Sequence, residues 1–199
     1  MIVSLIVIAQ LVIFFLTQQN WLISVQSLNS FGLIPMQLLQ NSSLHTVITA
    51  MWIHENVYHL LGNIFLLWIF GKDVEKKLHP LGFLVYYLSI GILANLLAVL
   101  YFSNSSIPIL GSSGVVSGII AAHLVLSYNK PILLHNFFSI LRVIAYVCIM
   151  YWFVFQLVTV LSINDIRNIP LLIHVSAFLM GIISMFGIMY FCFQCADSY

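Results

Sequence analysis

The sequence predicts an all-α membrane protein, a bundle of six transmembrane helices forming a single domain over residues 1–199. Three observations carry this. Of the 199 residues, 62% are apolar and 6% charged, whereas soluble domains carry about a quarter charged residues. Mean hydropathy is +1.11. Apolar runs of about 18 residues or more recur along the whole chain, the length a helix needs to cross a bilayer. No linker, low-complexity tract or charge run is long enough to mark a second domain.

The spans fall near 1–19, 52–70, 80–102, 112–128, 138–161 and 171–193. The first, "MIVSLIVIAQLVIFFL", has the core of a signal peptide but neither a positive leader nor a small-residue cleavage site, so it is expected to be retained. Gly71 and the following "KDVEKK" are expected to stop the second span, and Pro80 to open the third. The polar, proline-broken "SNSSIPIL" precedes the fourth, which starts at the serines of "GSSG" and closes at "NKP". "SINDIRNIP" separates the fifth from the sixth.

Lys and Arg set the orientation. Lys72, Lys76, Lys77, Lys130 and Arg142 fall on one side and only Arg167 on the other, which puts both termini in the cytoplasm. The second, fourth and sixth spans then run inward from the outer face. Ser113 lies at the outer start of the fourth and His174 about one turn into the sixth. His59 and Asn63 lie some two to three turns into the second, at ~1.5 Å rise per residue. Polar side chains from three helices thus converge in the outer half of the membrane, although the topology was derived without them.

Such residues are costly in a bilayer and need partners. The plainest account is interhelical hydrogen bonding. His59 and Asn63 are four apart on one helical face, and Glu55 extends their stripe toward the surface. A serine in a membrane helix commonly bonds its own backbone or lets helices approach. Gly114 and Gly118 form a small-xxx-small pair, continued by Ala122, and Gly181 with Ser176 and Ala177 supplies the same on the sixth span.

Chemistry needs more than packing. Backbone N–H groups at a helix start lack intrahelical partners and can stabilise an oxyanion. A nucleophilic serine there needs a base within hydrogen-bond reach. His123 lies nearly three turns deeper on Ser113's own helix, and His45, His54, His79 and His135 belong to loops or span ends. His174 is at matching depth on another helix, and no acid is placed to complete a triad, so a Ser113–His174 dyad is expected.

Other chemistries fail on spacing or composition. In "HENVYH", His54 and His59 are five apart, about 140° around a helix, where a zinc protease helix needs four. Asp73, Asp165 and Asp197 lie at span ends or outside, which excludes a buried aspartyl pair. Cys148, Cys192 and Cys195 form no metal or redox framework, so no metal or cofactor is expected. A formal net charge of +1 offers no basic patch for nucleic acid. The absence of an internal repeat argues against a transporter.

These residues together resemble the rhomboid intramembrane serine proteases. "HENVYHLLGNIFLLWIFGKDVE" is similar to the family's second-span signature, with His59, Asn63, Gly71 and Glu75 at the matching positions. "GSSG" matches its GxSG, making Ser113 rather than Ser112 the nucleophile, and "HVSAFLMG" matches the sixth-span segment, making His174 the base. The resemblance implies a six-helix rhomboid-like bundle with a water-filled cavity open to the outer side. It implies cleavage of transmembrane segments of other membrane proteins, with Asn63, His59 and the Ser113 N–H as the oxyanion site. Loop 162–170 and the fifth span would gate substrate access. A bacterial plasma membrane is the expected setting. The alternative is a catalytically weak or inactive relative that binds membrane proteins. The chain departs from the family at four places. Ser117 stands where an aromatic residue often packs on the base, Ala177 replaces a glycine, and His79-Pro80 replaces the glycine expected after the Glu75 motif. The Trp-Arg pair of the first outer loop is absent, since residues 1–71 hold no Arg.

Overall fold

The computed structural model describes residues 1–40, 42–128, 137–162 and 169–196. Lys130, His135, Asp165, Arg167, Asp197, the "NKP" stop and positions 163–168 of the expected gating loop lie outside the described residues. Helix α1 spans Ile2–Thr17, and a hairpin of β1 (Gln18–Gln19) and β2 (Leu22–Ile23) follows. Three short helices come next, α2 (Val25–Phe31), α3 (Pro35–Leu39) and α4 (Thr46–Thr49). The long elements are α5 (Val57–Tyr101), α6 (Ser113–Ser127), α7 (Phe137–Ser162) and α8 (Ile169–Ala196). Among the described residues, Val57–Tyr101 and Pro170–Cys192 are long and apolar enough to cross a membrane, and Ile2–Thr17, Ser113–Ser127 and Ile140–Val154 are shorter apolar helices.

Two expectations about the second span need correction. It begins at Val57 rather than 52, because Asn56 caps the helix: its side chain accepts a hydrogen bond from the His59 N–H at 3.0 Å. His59 therefore sits in the first helical turn, not two to three turns in. The charged run after Gly71 does not end the helix either. Gly71 lets α1 approach α5, since a Cβ there would lie 3.2 Å from Val3 Cγ2. One turn on, Glu75 is 3% exposed and accepts from the Ile2 and Val3 N–H groups at 2.6 and 3.2 Å. Its carboxylate satisfies orphan donors at the start of α1 and faces the positive end of that helix. This tie needs helical backbone through Glu75.

The break comes at His79, whose φ of 59° and ψ of 163° divide α5 into arms 57–78 and 80–101. Pro80 then opens the second arm, where its missing N–H costs nothing. The backbone at His79 is one that glycine favours, and a side chain there costs about 1–3 kcal/mol. His79→Gly should therefore raise stability by about 1 kcal/mol after the extra chain entropy of glycine is subtracted. A higher thermal midpoint in detergent checks it.

Helix α6 is the axis of the bundle, buried from Gly114 to His123 and packed against α5 and α8. Apolar burial gives membrane helices little drive to associate, so close packing and interhelical hydrogen bonds hold them. A Cβ on Gly181 would run into the Gly118 backbone, and one on Gly118 would stand 2.9 Å from the Ala177 carbonyl oxygen. Tyr86 reinforces the contact by donating to the Gly181 carbonyl at 3.1 Å. Gly181→Ala should destabilise the protein by about 1–3 kcal/mol, the usual cost of overpacking, read as a lowered unfolding midpoint. Gly187→Ala, at a glycine with open space around it, should not.

The segment between α1 and α5 closes one end of the bundle. Leu33 and Ile109 exchange backbone hydrogen bonds at 3.0 and 2.7 Å, and the Gly111 N–H donates to the Ala50 carbonyl at 2.8 Å. These ties fix the strand of chain that leads into α6. The short helices here leave no sequence signal, because each is below the length at which a periodicity shows.

Candidate active site

Helix α6 starts at Ser113, with Ser112 as its cap residue. Gly111 makes the turn with φ of +99°, and a Cβ there would lie 2.6 Å from the His59 ring. Only glycine meets both conditions, so the approach to α6 and the position of His59 depend on each other.

The two serines part company at this turn. Ser113 Oγ lies 2.8 Å from His174 Nε2, delivered by the first turns of α8. Ser112 is fully buried and turns the other way, its Oγ 3.2 Å from His54 Nε2. His54 is itself 0% exposed, and its ring meets the His59 ring edge-on at 5.2 Å. The Gln18 side-chain amide Nε2 donates to the His54 carbonyl at 3.0 Å. His54 thus props the serine turn and His59 from behind.

His59, Asn63, Ser113 and His174 all line a cavity of about 930 Å³. Asn63 is 5% exposed, and its Nδ2 has no hydrogen-bond partner among the described residues. A buried amide donor without a partner costs about 1–3 kcal/mol, and this one lines the cavity. The Ser113 N–H belongs to the first turn of α6, where helical N–H groups have no partner within the helix.

Gly114 and Gly118 keep α6 close to α8 at this level. A Cβ at Gly114 would meet Ile173 Cγ2 at 2.6 Å, one residue before His174. Ser117 Oγ donates back to the Ser113 carbonyl at 2.9 Å rather than to His174. The aromatic ring on His174 comes from another helix: Trp152 of α7 lies with its ring centre 4.5 Å from that of the imidazole.

His123 belongs to a separate cluster. Its Nε2 lies 3.0 Å from Asp73 Oδ2 and its Nδ1 2.6 Å from the Tyr146 hydroxyl. Arg142 pairs with the same Asp73 oxygen at 2.6 Å. The cluster joins the first arm of α5 to α6 and α7. Glu55 is exposed and precedes α5, so it makes no part of a helical stripe. No group of three or more metal-ligating side chains gathers among the described residues.

Sequence reasoning missed His54 and Trp152. His54 is set aside as a base there because it lies at a span end, and in "HENVYH" it is weighed as a zinc ligand, not as a partner of Ser112. Trp152 sits in a uniformly apolar span, and nothing in its neighbours marks it.

A profile of the rhomboid domain matches residues 41–191. The chain is similar to the chloroplastic rhomboid-like protein 11 of Arabidopsis thaliana, 39% identical over 74 residues, 37% of this chain and 26% of that protein. It is similar to the inactive rhomboid-like protein 8 of the same plant, 33% identical over 93 residues, 47% of this chain and 26% of that protein. Similarity to the rhomboid protease GluP of Bacillus subtilis (strain 168) is 27% over 122 residues, 61% of this chain and 24% of that protein. The matches span about a quarter of the length of these curated relatives. With the rhomboid domain covering most of its length, the chain belongs to the rhomboid family.

Proposed function

We propose that the protein is an intramembrane serine endopeptidase that cleaves transmembrane segments of other membrane proteins. The observation that carries the reading is the 2.8 Å approach of Ser113 Oγ to His174 Nε2 in a cavity that also holds the unpartnered Asn63 amide. In this reading the six apolar stretches cross the bilayer as a single domain. Both termini are cytoplasmic and the cavity opens to the outer side. A bacterial plasma membrane is the setting, which the Bacillus relative supports; the name of the plant relative offers a chloroplast membrane instead.

The chemistry is acyl transfer. His174 Nε2 takes the Ser113 hydroxyl proton as Oγ attacks the scissile carbonyl carbon. The oxyanion is met by the Asn63 amide, the His59 ring and the Ser113 N–H. The tetrahedral intermediate collapses, His174 gives its proton to the leaving amine, and the first product departs. Water, deprotonated by the same imidazole, then hydrolyses the ester and restores Ser113. Helix α7 and loop 162–170 serve as the gate for the substrate segment.

The test uses the intact chain in lipid vesicles with a reporter transmembrane substrate and, separately, a fluorophosphonate that labels activated serines. Cleavage and labelling are expected of the parent and lost in His174→Ala. A parent that binds the substrate but neither cuts it nor takes the label would instead be a non-catalytic binder of membrane proteins, the class suggested by the name of the inactive relative.

A further inference from the structure

We infer that Trp152 is the positioning residue for the base, clamping the His174 imidazole from α7; the inference rests on the protease reading. The indole lies 4.5 Å centre to centre from the imidazole at an angle of 59° and lines the same cavity. Ser113 holds the other functional edge of that imidazole through Nε2. An aromatic face packed against an imidazole limits the ring's rotation about its Cβ–Cγ bond. Nothing on α6 does this, since Ser117 bonds its own backbone.

The clamp comes from a long helix that, among its described residues, is little buried in the bundle. Among the described residues of α7, Ala145 alone is buried. The firm polar attachment of α7 is at Arg142 and Tyr146, through Asp73 and His123. Trp152 lies ten residues beyond Arg142, about 15 Å along the helix. The base is therefore aligned when this end of α7 is seated against α8 and released when it swings away. Alignment of the catalytic base and the seating of α7 are one event.

The experiment compares the parent with Trp152→Phe and Trp152→Leu in vesicles. It reads kcat and KM for the reporter, the rate of fluorophosphonate labelling at Ser113, and the unfolding midpoint. A positioned base contributes about 10²–10⁴-fold, so partial loss of alignment in Trp152→Leu should lower kcat about 10- to 100-fold, with KM within about twofold. Labelling should fall in parallel, and Trp152→Phe, which keeps an aromatic face, should stay within about threefold of the parent. Matched unfolding midpoints for the two variants separate positioning from general packing. Parental kcat in Trp152→Leu overturns the inference. So does loss of reporter cleavage with labelling unchanged, which would make Trp152 a substrate-docking residue. An inert parent overturns the protease reading itself, and the inference with it.

Discussion

Ser113→Ala is expected to lower reporter cleavage by about 10³-fold or more and to abolish fluorophosphonate labelling, because no other hydroxyl can take over the attack. Its neighbour supplies the control. Ser112 Oγ is 3.2 Å from His54 Nε2 and is fully buried, and Ser112 is not among the residues lining the cavity. Ser112→Ala leaves the Ser113–His174 pair intact but strips a buried histidine of a partner, at about 1–3 kcal/mol. It should therefore lower the unfolding midpoint while labelling at Ser113 persists. The opposite pattern, an inert but stable Ser112→Ala beside an active Ser113→Ala, would transfer the nucleophile to Ser112 and pair it with His54. Two adjacent serines each facing a histidine make the comparison decisive.

How far the sequence carried depended on whether a feature was local. The start of α6 at Ser113 was readable because a polar, proline-containing stretch meets an apolar run there. The approach of His174 followed from depth alone: two spans expected to run the same way, with polar residues near the same ends, should bring those residues level. Packing at Gly118 and Gly181 was readable as a small-residue pattern, although that the two glycines face each other across α6 and α8 was not. The helix of the second span was expected to stop at Gly71 and instead runs on to the break at His79. Charge after an apolar run is a fair stop signal, but Glu75 is committed to the N–H groups of α1, a partner more than 70 residues away. The positive φ at His79 was equally hidden, because glycine rather than histidine is the usual mark of such backbone. Trp152 and the Asp73–His123–Arg142 cluster are wholly tertiary: each joins helices whose relative rotation no single-span pattern fixes.

Asn63→Ala is expected to lower kcat by about 10²–10³-fold, the usual loss for one oxyanion donor, with KM nearly unchanged and the unfolding midpoint no lower than in the parent. The combination follows from the state of the amide. Asn63 Nδ2 is buried and makes no hydrogen bond among the described residues, so its removal forfeits no Nδ2 hydrogen bond among them and relieves an unsatisfied donor. Its contribution arises only when negative charge develops on the substrate oxygen, which is why the effect falls on kcat. Asn95 provides the contrast: its Nδ2 donates to the Val47 carbonyl at 2.9 Å, tying the second arm of α5 to α4. Asn95→Ala should lower the unfolding midpoint and affect kcat much less. If Asn63→Ala instead destabilises the protein and leaves kcat intact, the amide is a structural link and the oxyanion is held by His59 and the Ser113 N–H without it.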